Sequence, residues 1–315
     1  MSKSNKNIEP DPKLLLKDVR NIAYQAGNEI MKHYVQDIDV QRKEGNRPVT
    51  IADKEAEKII LSALKKLTPN IPIVSEEDFA DGHKPDTSQG TFWTVDPLDG
   101  TAEFINKTDA FVTAIALIVD HKPVLGVIYH PAYNLMYSSA GPNTASKIGP
   151  DKKETPISVR DSIPDDGAKI LINKKHANMD IIKEKVLDKH FNLGDKDQDI
   201  ETMFKVNAKD IAQVIDKSGI FRACQIAEGT ADLFPHAGSR QDNGSWWWDV
   251  APGHAIVEAA GGHVGTLDGN ELLYNAHKTY RVPAHSMSAH KKYISDQKLQ
   301  KKIKPPKKKI KPPKA

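Results

Sequence analysis

The chain has 315 residues, which is enough for two domains that share a sizeable core. With 38% hydrophobic and 28% charged residues, its composition is ordinary for a soluble globular protein. One cysteine excludes an internal disulfide, and no apolar run approaches the roughly 18 residues that a membrane span needs. The polar N-terminus lacks the apolar segment of a secretory signal, so we expect a cytoplasmic protein.

The net charge of +3 conceals a basic C-terminal tail. Residues 298–315 contain nine lysines and no acid, so removing them from the total leaves −6 for residues 1–297. The hexapeptide Lys-Lys-Ile-Lys-Pro-Pro occurs at 301–306 and again at 308–313. This low-complexity sequence predicts a disordered tail over residues 296–315, which could contact a nucleic acid or the anionic inner face of a membrane.

The N-terminal part of the chain predicts two helices joined by a polar loop. Apolar residues recur at helical spacing over residues 14–34, and residues 37–47 are polar. Thr50 and Asp53 have the spacing of a capping box at the start of a second helix. Asp53 therefore has two open interpretations, a plain helix-capping acid or a member of a functional site.

A short strand is predicted over residues 71–75, and it runs into the acids Glu76, Glu77 and Asp78. A polar loop follows as far as residue 90. Acids at a strand end usually belong to a solvated loop. The acids at 76–78 become candidate site residues because two more acids, Asp96 and Asp99, leave a predicted strand about twenty residues later.

Residues 92–101, Phe-Trp-Thr-Val-Asp-Pro-Leu-Asp-Gly-Thr, carry the strongest chemical signal of the chain. A buried strand is expected to stop at Pro97, which has no N–H to donate to a sheet. Asp96 and Asp99 would then leave the sheet on a tight turn, and two close carboxylates repel each other unless a cation lies between them. Gly100 permits close approach of a ligand, and its N–H and the next one can face an anion. The stretch predicts metal-assisted phosphate chemistry, and the alternative is an Asx turn that ends a strand.

An antiparallel meander is predicted next. Its strands cover residues 111–119, 123–129 and 135–139, and the first two are joined by a turn at His121 and Lys122. A meander on one side and helices on the other indicate an α+β layer.

Residues 140–155 are rich in Gly, Pro, Asn, Ser and Lys, which favours a domain boundary. We expect an N-terminal α+β domain (1–150) with most of the metal ligands, a C-terminal α/β domain (151–295) that closes the substrate site, and the tail (296–315). The elements predicted in the second half are a strand at 170–172, helices at 179–190 and 208–227, a strand at 231–234, a helix at 250–260 and a hairpin at 264–274. Asp249 could simply be the N-cap of the last of these helices.

Two stretches give the chain a family resemblance. Trp-Thr-Val-Asp-Pro-Leu-Asp-Gly-Thr at 93–101 resembles the first signature of the inositol monophosphatase superfamily. Trp-Asp-Val-Ala-Pro-Gly-His-Ala at 248–255, continued by Glu-Ala-Ala-Gly-Gly at 258–262, resembles the second. The resemblance covers about residues 14–290. It implies a layered α/β/α/β/α sandwich and Mg²⁺-dependent, Li⁺-sensitive hydrolysis of phosphomonoesters.

Within that superfamily the chain is most similar to the 3′(2′),5′-bisphosphate nucleotidases of the bacterial type. The similarity rests on residues 75–78, 99–105, 115–117 and 126–129. Such enzymes convert adenosine 3′,5′-bisphosphate to AMP and phosphate, and so remove a by-product of sulfate activation. The alternative within the superfamily is an inositol monophosphatase or a related sugar phosphatase, and either a monomer or a homodimer is expected.

The resemblance also implies roles for individual residues. Two to three Mg²⁺ ions would be held by four carboxylates and one carbonyl, those of Glu76, Asp96, Asp99, Asp249 and Leu98. Thr101 and Asp53 would orient and deprotonate the attacking water. The Gly100 and Thr101 N–H groups would hold the scissile phosphate. The remaining substrate contacts would come from His176, Ser218, Arg222 and His236.

The chain departs from the family pattern in the substrate-binding part. Ala102 stands where the family often has Lys, and His176 is the only match in its segment. Arg222 takes the place of a Lys, Ser218 lies one position early, and His236 replaces the nucleotidase Arg. The chemistry is therefore better supported than the substrate. A remote alternative from another class is a non-catalytic protein that binds anions through its tail.

Overall fold

The computed structural model describes residues 10–35, 40–42, 48–161, 171, 219–236, 244–266, 270–276, 279–283 and 286–289. The predicted helix at 179–190, the N-terminal part of the one at 208–227, most of the strand at 170–172 and the tail lie outside these residues. His176 and Ser218 lie outside them too.

A seven-stranded sheet forms the centre of the molecule, and its strands are neighbours in sequence order. The strands are β3 (Ile73–Ser75), β4 (Phe92–Asp99), β5 (Val112–Val119), β6 (Lys122–His130), β7 (Leu135–Ala140), β8 (Ser146–Ile148) and β9 (Glu154–Pro156). The β3–β4 pair is parallel and the other pairs are antiparallel. A 3₁₀ helix (Pro131–Tyr133) joins β6 to β7. The meander is thus confirmed, and the sheet continues to residue 156, whereas the division into domains at residue 150 remains a prediction.

Two N-terminal helices cover one face of this sheet. They are α1 (Pro12–Tyr34) and α2 (Ile51–Leu67), and their apolar sides pack with the inward residues of β4 to β6 into one core. Two short strands, β1 (Val40–Arg42) and β2 (Pro48–Thr50), pair antiparallel just before α2. The prediction of a polar loop at 37–47 is therefore wrong at residues 40–42, because this short strand is stabilised by pairing with β2 and not by its own sequence pattern.

The opposite face is covered by α5 (Gly219–Ala227) and α6 (Trp247–Ala259), which form a second core with the sheet. A second sheet, in the order β10 (Leu233–His236), β14 (Ser286–Ala289), β12 (His263–Thr266), contacts the same helices. A two-stranded ribbon pairs β11 (Ser245–Trp246) with β13 (Arg281–Val282). The described residues thus stack as helices, sheet, helices and sheet, four of the five layers that the family resemblance implies.

Two predictions about strands β4 and β5 are wrong. Pro97 does not end β4, because the ladder resumes at Asp99, which pairs with Val112 after a register shift between Asp96 and Asp99. A bulge accommodates the missing proline N–H. The β5–β6 turn is formed by Asp120 and His121, with φ angles of 49° and 63°, and not by His121 and Lys122. Two positive φ angles match the right-handed twist of a tight hairpin.

The predicted helix starts also need correction. The polar loop predicted from residue 78 begins inside a short helix, α3 (Glu76–Ala80), and α4 (Thr101–Ile105) follows β4. Helix α6 begins at Trp247 and not at Val250, so Trp246 and not Asp249 is its N-cap.

Further along, the strand predicted at 231–234 lies at residues 233–236. Of the second strand of the predicted hairpin, the structure shows one bridge, between Gly265 and Glu271. No helix in the described part of the chain is long and apolar enough to cross a membrane.

Candidate active site

The candidate site begins where β3 ends beside its parallel neighbour β4. Ser75, the last residue of β3, is in register with Val95, so Glu76 at the start of α3 follows Ser75 as Asp96 follows Val95 on β4. Because the two strands are parallel and in register here, Glu76 lies beside Asp96 at this edge of the sheet. Asp96 is only 2% exposed.

The bulge in β4 shapes the segment after Asp96. Asp96 Oδ1 accepts a hydrogen bond from the Leu98 N–H at 3.0 Å, and the Pro97 carbonyl accepts one from the Thr113 hydroxyl at 2.9 Å. The Pro97 carbonyl is thus fixed by a side chain of β5, and the chain resumes its pairing with β5 at Asp99. This arrangement brings Asp99 to the same edge of the sheet as Asp96.

Gly100 is required by the backbone at this point. Its φ is +92°, and a Cβ there would lie 2.7 Å from the Ala110 carbonyl oxygen. A side chain at this position would meet both left-handed strain and a clash with backbone. Gly100 is the N-cap of α4, so Thr101 is the first residue of a helix whose first N–H groups lack intrahelical acceptors.

Asp53 contacts both the start of α2 and Thr101. Asp53 Oδ2 accepts hydrogen bonds from the Thr50 N–H at 2.8 Å and the Thr50 hydroxyl at 2.6 Å, which completes the predicted capping box. Asp53 Oδ1 accepts one from the Thr101 hydroxyl at 3.0 Å. The capping interpretation of Asp53 is therefore confirmed, and its second carboxylate oxygen contacts Thr101, while its role in a functional site remains a prediction.

The second half of the chain reaches this edge through α5 and α6. Asp249 is the third residue of α6, directly after Trp248, and the Trp248 ring lies 5.5 Å from that of Phe79, one turn beyond Glu76 on α3. Asp99 Oδ2 accepts a long hydrogen bond of 3.4 Å from the Ile220 N–H of α5. These contacts connect both halves of the chain around the acids.

Arg222 lies in the wall formed by α5. Its side chain is almost fully buried, and its guanidinium carbon lies 5.5 Å from the centre of the Phe234 ring. Burial lowers the pKa of Arg222, while the charges of Asp99 and Glu103 raise it. Arg222 is thus close enough to Asp99 to interact with its charge, which brings the predicted substrate donor near a predicted metal ligand.

His236 is the last residue of β10, where its backbone pairs with Ser286. The described part of the structure does not include its side chain, so the predicted phosphate contact of His236 remains a prediction, as do those of His176 and Ser218.

Sequence reasoning missed Glu57, a buried acid on α2. Its Oε1 accepts hydrogen bonds from the Ser75 hydroxyl and from the Asp78 N–H, the latter at 3.0 Å. The available signal was its spacing, since an acid four residues after Asp53 falls on the same apolar helix face.

The donor set fits a hard divalent cation. The four acids Glu76, Asp96, Asp99 and Asp249 and the Leu98 carbonyl supply only oxygen, which suits Mg²⁺ and not a soft metal. The Leu98 carbonyl oxygen lies 3.2 Å from the Thr101 hydroxyl oxygen, next to the Thr101–Asp53 contact.

Known proteins resemble this chain over most of its length. The sequence model described as the inositol monophosphatase family matches residues 12–302. The 3′(2′),5′-bisphosphate nucleotidase CysQ of Escherichia coli (strain K12) is 35% identical over 277 residues, which cover 87% of this chain and 99% of the relative. The protein of the same name from Salmonella typhimurium is 34% identical over 272 residues, 85% of this chain and 97% of that protein.

Solved structures share the fold. CysQ from Bacteroides thetaiotaomicron, described as a bacterial member of the inositol monophosphatase family, has a TM-score of 0.62 at 24% identity and covers 88% of this chain and 97% of its own. The extragenic suppressor protein suhB from Bartonella henselae has a TM-score of 0.62 at 21% identity. The match covers 92% of this chain and 100% of the suhB chain. The predicted layered sandwich is confirmed by these neighbours.

Proposed function

Because the chain belongs to the inositol monophosphatase family, we propose that it is a Mg²⁺-dependent 3′(2′),5′-bisphosphate nucleotidase that converts adenosine 3′,5′-bisphosphate to AMP and phosphate. The observation that carries the proposal is the hydrogen bond from Thr101 to Asp53, made directly after the acids Asp96 and Asp99 of β4. The curated nucleotidase relatives at 34–35% identity support the choice of substrate.

Mg²⁺ would be held by Glu76, Asp96, Asp99, Asp249 and the Leu98 carbonyl. When bound, two to three ions would acidify the attacking water and neutralise the charge that develops on the phosphate and the leaving oxygen.

Thr101 and Asp53 handle the proton of the attacking water. The Thr101 hydroxyl has one proton and donates it to Asp53 Oδ1. Its oxygen keeps lone pairs that accept a hydrogen bond from the water and so orient it toward phosphorus. The proton that the water loses passes through Thr101 to Asp53.

The phosphate is oriented by the start of α4. The N–H groups of Gly100 and Thr101 would donate to its non-bridging oxygens, where negative charge is greatest. The left-handed backbone of Gly100 fixes these donors before substrate binds, so little reorganisation accompanies the reaction.

A bisphosphate substrate carries a second phosphate away from the metal site, and that group needs its own donors. Arg222 suits this role because its guanidinium can donate hydrogen bonds to two phosphate oxygens at once. Its burial beside Phe234 supports the assignment, since a buried fork is already held in one orientation.

A substrate panel tests the proposal. With Mg²⁺, kcat/KM for adenosine 3′,5′-bisphosphate should exceed that for inositol 1-phosphate by at least ~10-fold, and EDTA should abolish both activities. Ca²⁺ and Li⁺ should inhibit. Preference for inositol 1-phosphate would favour the alternative of an inositol or sugar phosphatase, and absence of any Mg²⁺-dependent phosphate release would favour the non-catalytic alternative.

The basic tail is proposed to act separately from catalysis. Deletion of residues 298–315 should leave kcat on small substrates unchanged and remove any affinity for nucleic acid or anionic vesicles. That affinity should weaken steeply with salt, because nine lysines would carry it. Loss of catalysis on deletion would contradict this separation.

A further inference from the structure

Helix α2 carries two buried acids one turn apart, and the mechanism above uses only one of them. Asp53 is 1% exposed and Glu57 is 9% exposed. Residues four apart lie on the same face of a helix, so both carboxylates point from α2 toward the sheet edge. A buried carboxylate is unfavourable unless hydrogen-bond donors compensate it, which raises the question of what Glu57 contacts.

Glu57 accepts hydrogen bonds from residues on both sides of Glu76. Its Oε1 accepts hydrogen bonds from the hydroxyl of Ser75, the residue before Glu76, and from the N–H of Asp78, two residues after it. One oxygen therefore fixes the turn at which β3 becomes α3. Burial raises the pKa of the Glu57 carboxyl, and these two donors oppose that shift.

This arrangement replaces the usual local cap of a helix. Ser75 is the N-cap of α3, where a serine hydroxyl normally accepts a hydrogen bond from the first turn. Here the Ser75 side chain makes no such bond, donates to Glu57 instead, and leaves the Asp78 N–H to Glu57 as well. A local rule is thus broken in favour of a contact from another helix, and such exceptions are typical of functional sites.

We propose that Glu57 is a positioning residue that directs Glu76 toward the cation and thereby sets the affinity for Mg²⁺. The inference rests on the proposed function, in which Glu76 is a metal ligand. Because α2 also holds Thr101 through Asp53, Glu57 fixes the metal ligand and the water-orienting pair to the same helix. Partners that orient a metal ligand are generally needed for full metal affinity.

The test compares three variants of the full chain by their melting temperature at increasing Mg²⁺ without substrate, together with kcat at each Mg²⁺ concentration. Glu57→Met removes the acceptor with little change in volume. Glu57→Gln keeps an oxygen acceptor and removes the charge. Glu55→Met is the matched control, because Glu55 is exposed on another face of α2, near Glu29 and His33 of α1.

We expect Glu57→Met to raise the half-saturating Mg²⁺ concentration by roughly 10- to 100-fold in both measurements. At saturating Mg²⁺ most of kcat should return. Glu57→Gln should recover most of the Mg²⁺ affinity, since its amide oxygen still accepts from Ser75 and Asp78, and Glu55→Met should match the wild type. If Glu57→Met fails to fold, Ser75→Ala makes the same test with one donor removed, and a smaller increase in the same direction is expected.

A Mg²⁺ midpoint that Glu57→Met or Ser75→Ala shifts no more than Glu55→Met does would overturn the inference and leave Glu57 a purely structural residue. A Glu57→Gln variant as impaired as Glu57→Met would also overturn it, because charge and not positioning would then be responsible. A wild type that neither gains stability from Mg²⁺ nor releases phosphate would overturn the proposed function, and this inference with it.

Discussion

The two sides of the candidate site are assembled from different kinds of contact. We call residues 50–101 the catalytic side and residues 219–249 the binding side. On the catalytic side, Asp53, Asp96 and Thr101 are held by hydrogen bonds of 2.6–3.2 Å within one continuous segment. The binding side meets it through the weaker Ile220–Asp99 bond of 3.4 Å and through ring packing of Trp248 on Phe79.

This difference suggests how the fold separates chemistry from specificity. Strand ends and a bulge fix the carboxylates, so changes there should abolish turnover for every substrate. The binding side also contributes Asp249, but it is attached mainly by packing, so its substrate donors can change without disturbing Glu76, Asp96 and Asp99. The departures of this chain from the family pattern, at residues 102, 176, 218, 222 and 236, lie outside the predicted metal ligands.

The largest effect is expected for Asp96→Asn. The asparagine oxygen can still accept from the Leu98 N–H, so the bulge is retained while the charge that binds Mg²⁺ is lost. We expect kcat to fall by several orders of magnitude with an unchanged melting curve. Asp151→Asn is the matched control, because Asp151 accepts from the Lys153 N–H at the same 3.0 Å in an exposed turn. Near-normal turnover in Asp96→Asn would remove Asp96 from the metal site.

Asp53 allows its two contacts to be separated. Asp53→Asn should lower kcat by ~10²-fold, because an amide cannot accept the proton from Thr101. Thr50→Val removes only the capping hydroxyl and should cost about 1 kcal/mol in the free energy of unfolding while preserving kcat. The measurement is kcat beside chemical denaturation for both variants. An equal loss of kcat in the two would show that the helix start, and not the Thr101 contact, matters for catalysis.

Arg222 tests the binding side. Arg222→Ala should lower kcat/KM for adenosine 3′,5′-bisphosphate by ~10-fold or more, about 1.4 kcal/mol, and leave 2′-AMP nearly unaffected, since 2′-AMP lacks the second phosphate. The kcat/KM of Arg222→Lys for adenosine 3′,5′-bisphosphate should lie between those of the wild type and Arg222→Ala. The positive charge near Asp99 remains, but the two-pronged guanidinium is lost. An equal loss of kcat/KM on both substrates would mean that Arg222 stabilises the carboxylates of the site and does not bind the second phosphate.

The sequence predicts the catalytic side better than the elements that support it. The Thr50 capping box was identified because short-range spacing determines it, and the strand before Asp96 because its apolar run is local. The continuation of β4 through Pro97 was not, because pairing of Asp99 with β5 overrides the proline. The start of α6 was misplaced because Trp246, its N-cap, has no capping side chain and the helix is stabilised by packing instead.

The smallest effect is expected far from both sides. Arg20 of α1 donates to Glu154 of β9 at 2.6 and 3.1 Å, and these hydrogen bonds hold the pKa of Glu154 below its ordinary value of 4.5. A lowered folded-state pKa contributes stability that is complete above the unfolded pKa and is lost as the pH falls through the folded one. Since Glu154 is about half exposed, Glu154→Gln should cost only about 0.5 kcal/mol near neutral pH.

That difference between wild type and Glu154→Gln should shrink as the pH falls below 4.5, and kcat should be identical for both. Denaturant titrations across that range, with kcat measured near neutral pH, check both statements. This pattern is the reverse of the one expected for Asp96→Asn, where turnover changes and stability does not. A reduced kcat in Glu154→Gln would show that the outer edge of the sheet is coupled to the site, and turnover would then depend on contacts outside both the catalytic side and the binding side.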